Sequence, residues 1–405
     1  MRECVITAAA RTAVGAYLGS LKTVEAQDLG AAAIRAAAQR SGIALGQADQ
    51  VIMSEVYGYT PNIARCAALV AGVPERVPAY SVDRQCASSL QAVVSASYEI
   101  QAGEADVVIA GGVEMMSRMV YYLPPSSRYN GFRMGNVTLY DTFSRGVTIV
   151  QPAQLYPGLN MGLTAENVAK ELKISRREQD AFALESQRKA KAAMEAGKFQ
   201  DEIIPVEIAG KSGTIIFETD EHPRPGATLE SLAKLKPAFL SDGTGTVTAG
   251  NSSGMNDGAS AVVVMSREKA EQLGCAPLAR IVSSTSVGLD PRVMGLGPAY
   301  AIPRVLQKAG LALSDIGLIE LNEAFAAQAI GCLKLLCIEP GSALYDRVNV
   351  NGGAIALGHA LANSGTRLLT TLLYEMKRRN VQYGLVSLCI GGGQGMAMIV
   401  ENMAN

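Results

Sequence analysis

The chain of 405 residues has no tryptophan, only 5% aromatic residues and two histidines, His222 and His359. Neither histidine lies in a cluster with cysteine, and the seven cysteines form no CxxC pair. A structural zinc site has almost nothing to bind with, so no metal is expected. An odd number of cysteines scattered along a long chain argues against a disulfide framework. Charge is scarce as well: charged residues make up 18%, and the formal net charge is -1. No acidic or basic field points to nucleic acid or to an anionic membrane. Apolar stretches such as 261–265 are far too short to span a bilayer. The first strand-like run, 4–9, begins almost at Met1 with no basic, apolar leader before it. The final Met403-Ala404-Asn405 is no retention or peroxisomal address. These absences lead to the expectation of a cytoplasmic, soluble protein.

What is abundant is small and apolar. Hydrophobic residues make up 48%, with 41 glycines, which favours closely packed helices and strands around a large core. The length implies two or three folding units. Strand-like runs at 5–9, 50–55, 79–82 and 105–110 alternate with helical patterns at 26–40 and 86–101. Such alternation predicts α/β layers. Residues 119–160 break the pattern with turn residues and five tyrosines, as a lid or binding loop would. Ser175-Arg176-Arg177-Glu178 is a capping box opening a helix towards Gly197. Alternation then resumes, with strands at 259–265, 278–286 and 384–389 and helices at 300–308, 323–337 and 359–378. There is an internal echo: Cys86 at a helix start is followed by a strand and Gly111-Gly112-Val113-Glu114-Met115. His359 at a helix start is followed by a strand and Gly391-Gly392-Gly393. This makes a duplicated body plausible.

Four stretches carry groups suited to chemistry. In Val82-Asp83-Arg84-Gln85-Cys86-Ala87-Ser88-Ser89-Leu90 a strand gives way to a helix at or just after Cys86. Free N–H groups and the helix dipole there would lower a thiol pKa and hold an oxyanion. The competing reading is a buried structural cysteine. His359, ending Asn351-Gly352-Gly353-Ala354-Ile355-Ala356-Leu357-Gly358-His359, is the one good candidate for a base, since His222 sits in a polar, proline-rich stretch. Cys389 stands at a strand end before the triple glycine, where α/β proteins place their sites. Asn322, in Asn322-Glu323-Ala324-Phe325, would either hold a water or cap a helix.

In this order the four stretches, with Gly245-Thr246-Val247-Thr248-Ala249-Gly250-Asn251-Ser252-Ser253-Gly254-Met255-Asn256-Asp257-Gly258-Ala259, closely resemble the thiolase family over essentially the whole chain. The resemblance implies an α/β fold of five layers, αβαβα, with two similar halves and an inserted loop domain. The halves would be 1–118 with 249–272 and 273–405, and the coenzyme-A-binding insertion 119–248. It implies that Cys86 is acylated, His359 activates it and Cys389 is a general acid and base. Asn322 would hold a water that joins His359 in one oxyanion hole, and the N–H groups of Cys86 and Gly391 would form another. Arg224, Ser231, Ser253 and Met161 match positions near coenzyme A. Coenzyme A would be a substrate and no cofactor would be tightly bound. The partners would be acyl-CoA and CoA, with assembly into a homodimer or homotetramer.

Several residues depart from the family pattern: Ser89 after Ser88, Ala360-Leu361-Ala362-Asn363 after the histidine, and Asn160 before Met161. Added side chains after the histidine are expected to narrow the acyl pocket. The neighbouring ketoacyl and hydroxymethylglutaryl-type synthases lack a second cysteine before glycine, and Cys389 argues against them. A non-catalytic lipid carrier or scaffold would have lost one of the four chemical residues, and none is missing.

Overall fold

The computed structural model describes residues 2–144, 150–210 and 213–404. The main sheet is built from β1 (Cys4–Thr12), β2 (Gln50–Met53), β3 (Ala79–Ser81), β4 (Val107–Met115), β5 (Asn256–Ser266), β6 (Ala279–Gly288), β7 (Leu318–Leu321), β8 (Tyr383–Ile390) and β9 (Gln394–Asn402). Strands β1, β4 and β5 are buried at every position, so their near-continuous apolar runs are those of strands covered on both faces.

The order across the sheet is β7-β8-β9-β6-β1-β5-β4-β2-β3. It resolves into two copies of one pattern. In the first half β3 and β4 flank β2 in parallel, and β4, β5 and β1 follow antiparallel. In the second half β7 and β8 run parallel, and β8, β9 and β6 follow antiparallel. A single parallel bridge, Ile319 to Val348, stands where β3 stands in the first half. The halves join through two residue pairs between β1 and β6, Val5 with Arg280 and Ile6 with Ala279. The internal echo in the sequence is thus a real duplication of topology.

Helices α1 (Ala26–Ser41) and α2 (Ile63–Ala71) cover the outer face of the first half, with Leu29, Ile34 and Ile63 packed on Val51 and Ile109. Helices α3 (Ser88–Ala102) and α8 (Ser364–Arg379) lie between the halves, where Leu90, Val93, Leu368 and Leu372 meet Ile6 and Val108 from one side and Val386 and Leu388 from the other. Helices α6 (Gly297–Ala309) and α7 (Ala326–Leu335) cover the second half through Ile302, Val305 and Leu333. The result is the expected five layers, αβαβα. Small residues matter at its centre: a Cβ on Gly365 of α8 would run into the backbone and side chain of Leu90 on α3.

Between β4 and β5 the chain forms α4 (Met161–Glu171), α5 (Arg176–Glu195), a hairpin of Val206–Gly210 with Gly213–Phe217, and a short pairing of Tyr121–Tyr122 with Tyr140–Asp141. The capping box is present, with Ser175 and Glu178 bonded reciprocally at the start of α5. One piece of this stretch, Ile203–Ile204, adds to the main sheet beside β1. Part of the expected binding loop, 145–149, lies outside the described residues.

Candidate active site

The nucleophile candidate is held by a strained turn. Cys86 lies in a single 3-10 turn, Gln85–Ala87, before α3 begins at Ser88. Gln85 has φ +49, a left-handed conformation that costs a side-chain-bearing residue about 1–2 kcal/mol. Three bonds impose it. Asp83 Oδ1 accepts from Gln85 N at 2.7 Å, Ser88 Oγ accepts from Arg84 N at 2.8 Å, and Ser88 Oγ donates to the Gln85 carbonyl at 2.6 Å. Cys86 itself is half-buried and opens onto a cavity of about 430 Å³.

The expectation of a lowered thiol pKa is not met. Burial pushes the Cys86 thiol up to about 11, against the opposing effect of the Gly391 and Cys86 backbone N–H groups. Desolvation of a thiolate in an apolar site outweighs those two donors. A base must therefore take the proton as the thiol reacts.

His359 is the candidate for that base, since it lines the same cavity. It does not open the long helix as the sequence suggested. It sits in a non-repeating segment after Gly358 (φ +95), and α8 starts at Ser364. Its backbone N donates to Asn256 Oδ1 at 2.9 Å, and its Nδ1 lies 2.6 Å from Ser364 Oγ. The Ser364 hydroxyl donates to the Ala360 carbonyl at 2.9 Å. Its oxygen is then an acceptor towards Nδ1, which places the proton on Nδ1 and leaves Nε2 as the basic lone pair. Burial, helped by the charge of Arg367, pushes His359 down to about 3, so the ring is neutral near pH 7.

Asn322 follows β7 and is fully buried. It does not cap a helix, because α7 begins only at Ala326. Its Nδ2 lies 3.5 Å from His359 Nε2, and its Oδ1 is a buried acceptor without a partner among the described residues. Cys389, at the end of β8, is fully buried, and burial together with the neighbouring Cys86 and Cys332 thiols raises its pKa well above the ordinary value. Gly391 begins the turn into β9, and Gly392 and Gly393 take φ +81 and +82, which favour glycine.

Cys86, His359, Cys389, Gly391, Met161 and Ser253 all line the same cavity, which is otherwise walled by Tyr57, Met116, Phe143, Phe239, Met294 and Phe325. Asn322 is not in the wall, although its Nδ2 is next to His359 Nε2. Arg224 and Ser231 are not brought into it. Both are exposed; Ser231 is tied into the cap of a short helix, Leu229–Ala233, and Arg224 N donates to Gln187 Oε1 at 2.7 Å. His222, set aside in the sequence, is packed against Gly254 on the cavity wall, and burial lowers it to about 4.

The residues that depart from the family pattern are mostly not in the pocket, which corrects the expectation of narrowing. Ser89 Oγ accepts from Thr366 N at 3.0 Å, and Asn363 Oδ1 accepts from Ser260 Oγ at 2.5 Å. These are bonds between layers. Of the altered residues only Asn160 reaches the cavity, along with Leu361; Asn160 Oδ1 also caps α4 through Leu163 N at 3.0 Å. Residues that sequence reasoning missed include Tyr57, Asn256 and Ser364. Asn256 lay within a quoted motif, but its bond to His359 spans 103 residues.

An α/β body of two equivalent halves with two thiols and a neutral imidazole converging on an apolar cavity defines an acyl-transfer site. The family profile for the thiolase N-terminal domain matches residues 4–268 and that for the thiolase C-terminal domain matches 275–402. The chain belongs to the thiolase family. It is 50% identical to an acetyl-CoA acetyltransferase of Cupriavidus necator, over 99% of this chain and 100% of that protein. It is 47% identical to an acetyl-CoA acetyltransferase of Escherichia coli, over the full length of both. Among solved structures it is similar to the Bacillus anthracis acetyl-CoA acetyltransferase, with TM-score 0.94 and 42% identity over 99% of each chain. The human mitochondrial 3-ketoacyl-CoA thiolase in complex with CoA gives TM-score 0.92 and 42% identity, over 99% of this chain and 98% of that one. Among the described residues no group of three His, Cys, Asp or Glu is placed to hold a metal, and no helix is long and apolar enough to cross a membrane.

Proposed function

We propose that the protein cleaves 3-ketoacyl-CoA with CoA, and in reverse condenses acetyl-CoA with acyl-CoA, through an acyl group carried on Cys86. The observation that carries this reading is the convergence of Cys86, His359 and Cys389 on one apolar cavity. In condensation the Cys86 sulfur attacks the thioester carbonyl while His359 Nε2 takes its proton. The C–S bond to coenzyme A breaks, and Cys389 gives its proton to the departing sulfur. The Cys389 thiolate then removes an α-proton from a second acetyl-CoA. The carbanion attacks the acyl-Cys86 carbonyl, the Cys86–acyl bond breaks, and the imidazolium returns its proton to the Cys86 sulfur. All protons are back in place when the 3-ketoacyl-CoA leaves.

The unusual pKa values fit these roles. A thiol raised far above its ordinary value is a strong base once ionised, as abstraction of a weakly acidic α-proton demands. An imidazole kept neutral by burial takes the thiol proton only in concert with sulfur attack, and gives it back readily. The N–H groups of Cys86 and Gly391 would receive the thioester oxygen of the acyl-enzyme. His359 with a water on Asn322 would receive that of the enolate, each donor worth roughly a hundredfold to a thousandfold in rate. Met161 and Ser253, which line the cavity, are assigned to the pantetheine arm, and Arg224 and Ser231 to the nucleotide end.

We also propose that 119–248 acts as the CoA-binding insertion within the first half, and that the protein works in the cytoplasm as a homodimer or homotetramer. The exposed Tyr121, Tyr129, Phe132, Met134 and Leu139 favour burial against another copy. Steady-state thiolysis of acetoacetyl-CoA at several fixed CoA concentrations tests the function. Parallel double-reciprocal lines support the acyl-enzyme, and intersecting lines or no turnover with any 3-ketoacyl-CoA refute it.

A further inference from the structure

We propose that Glu114 is a positioning residue for the reaction: it pins the His359 segment of the second half to the first half and thereby aims the imidazole at the Cys86 thiol. The inference rests on the function proposed above. Glu114 lies next to the end of β4 and is fully buried. Its Oε2 accepts from Ala362 N at 3.0 Å and from Val56 N at 3.2 Å, and its Oε1 accepts from Tyr57 N at 3.0 Å.

Ala362 is three residues beyond His359, and the residue is held on its other side too: the Ala362 carbonyl, in the next peptide group, accepts from Ser54 Oγ at 3.1 Å. Ser54 and Glu114 both belong to the first half, directly after β2 and near the end of β4. The approach is close, because a Cβ on Gly112 would collide with the Ala362 carbonyl. The backbone at 358–360 has no helix or strand ladder to fix it, only a single parallel bridge from His359 to Met255. Its position is set from outside, by that bridge, by Asn256 on the His359 N–H, and by Glu114 and Ser54 on the N–H and carbonyl of Ala362.

The choice of residue fits this task. Three N–H donors arriving at one buried side chain need an acceptor with two oxygens and no donor of its own, which only a carboxylate supplies. Burying an ionised carboxylate is costly, and only the donors around it offset that cost. Burial pushes Glu114 up to about 7, while the N–H groups of Tyr57, Ala362 and Val56 pull the other way. The same carboxylate fixes Tyr57, a wall of the cavity, so one group registers the acyl pocket against the base.

The test compares wild type, Glu114→Gln, Ser54→Ala and the double variant. The measurements are single-turnover acetylation of Cys86 by acetoacetyl-CoA and steady-state kcat and KM for thiolysis. An amide keeps only one acceptor oxygen, so Glu114→Gln loses part of the grip. Acetylation is expected to fall about 10- to 100-fold, the scale on which small misplacements of catalytic groups act, with KM within about threefold. Ser54→Ala is expected to fall about 3- to 10-fold, and the double variant by less than the product, because both residues hold the backbone of one residue, Ala362. Acetylation in Glu114→Gln within twofold of wild type, or a loss confined to KM, would overturn the role. If Glu114→Gln does not fold, Ser54→Ala carries the test, and an unchanged acetylation rate in it overturns the proposal. A wild type that fails to acetylate would instead sink the function itself.

Discussion

Replacing Ser364 by alanine removes one hydroxyl and leaves His359, Cys86 and Cys389 in place. The geometry predicts a specific loss. The Ser364 proton is committed to the Ala360 carbonyl at 2.9 Å, so the oxygen 2.6 Å from Nδ1 is what holds the imidazole proton on that nitrogen. In Ser364→Ala the Nδ1–H is a buried donor without an acceptor, which costs about 1–3 kcal/mol. The ring can escape by moving its proton to Nε2, but then Nε2 has no lone pair with which to take the thiol proton. Either way the reactive form is disfavoured by that amount, and at about 1.4 kcal/mol per decade the acylation rate should fall about 5- to 150-fold. A single-turnover experiment with acetoacetyl-CoA, quenched and followed by intact mass, reads this rate directly. Ser364→Thr keeps the hydroxyl and should retain most of it. Acylation within twofold of wild type in Ser364→Ala would refute the tautomer argument.

Cys389→Ala should still take an acetyl group on Cys86 from acetyl-CoA, more slowly because the departing CoA sulfur loses its proton donor, while condensation falls about a hundredfold to ten-thousandfold, as loss of a general acid and base does; adduct mass and product assay separate the two. Gln85→Gly relieves the left-handed strain before Cys86 and should stabilise the fold by about 0.5–1 kcal/mol in denaturant unfolding; a destabilised variant would contradict the account of that turn. Burial raises the pKa of Glu375, but bonds from Asn351, Arg379 and Arg378 outweigh it and hold the group down at about 2. Its unfolded value is about 4.3, so this stability is fully present above that pH and is lost as pH falls towards 2. Glu375→Gln should therefore be less stable than wild type by about 1–3 kcal/mol at pH 7, and the difference should shrink below pH 4. A difference independent of pH would count against it.

The layers were legible in the sequence because they are written in local periodicity. The run 259–265 reads as a buried strand and forms the middle of β5, and the capping box starts α5 where Ser175 and Glu178 put it. Boundaries slipped where the chain leaves regular structure to build the site. The helix assigned to 359–378 starts at Ser364, because His359 is held by bonds to Asn256 and Ser364 instead of by a helical ladder. The sign of the Cys86 pKa shift was misread for a related reason. A helix start is visible in sequence, but the apolar walls that desolvate the thiol come from Phe143, Met294 and Phe325, far apart in the chain. Glu114 stood in a quoted motif, yet its bond to Ala362 crosses 248 residues and leaves no local trace.

The central claim is that Cys86 carries the acyl group. The direct measurement is to incubate the protein with acetoacetyl-CoA in the absence of free CoA and map the adduct by peptide mass spectrometry, with Cys86→Ala alongside. The account predicts an acetyl group on the Cys86 peptide that disappears when CoA is added and never forms in Cys86→Ala. No adduct with acetoacetyl-CoA or any longer 3-ketoacyl-CoA, or an adduct that persists in Cys86→Ala, would contradict it.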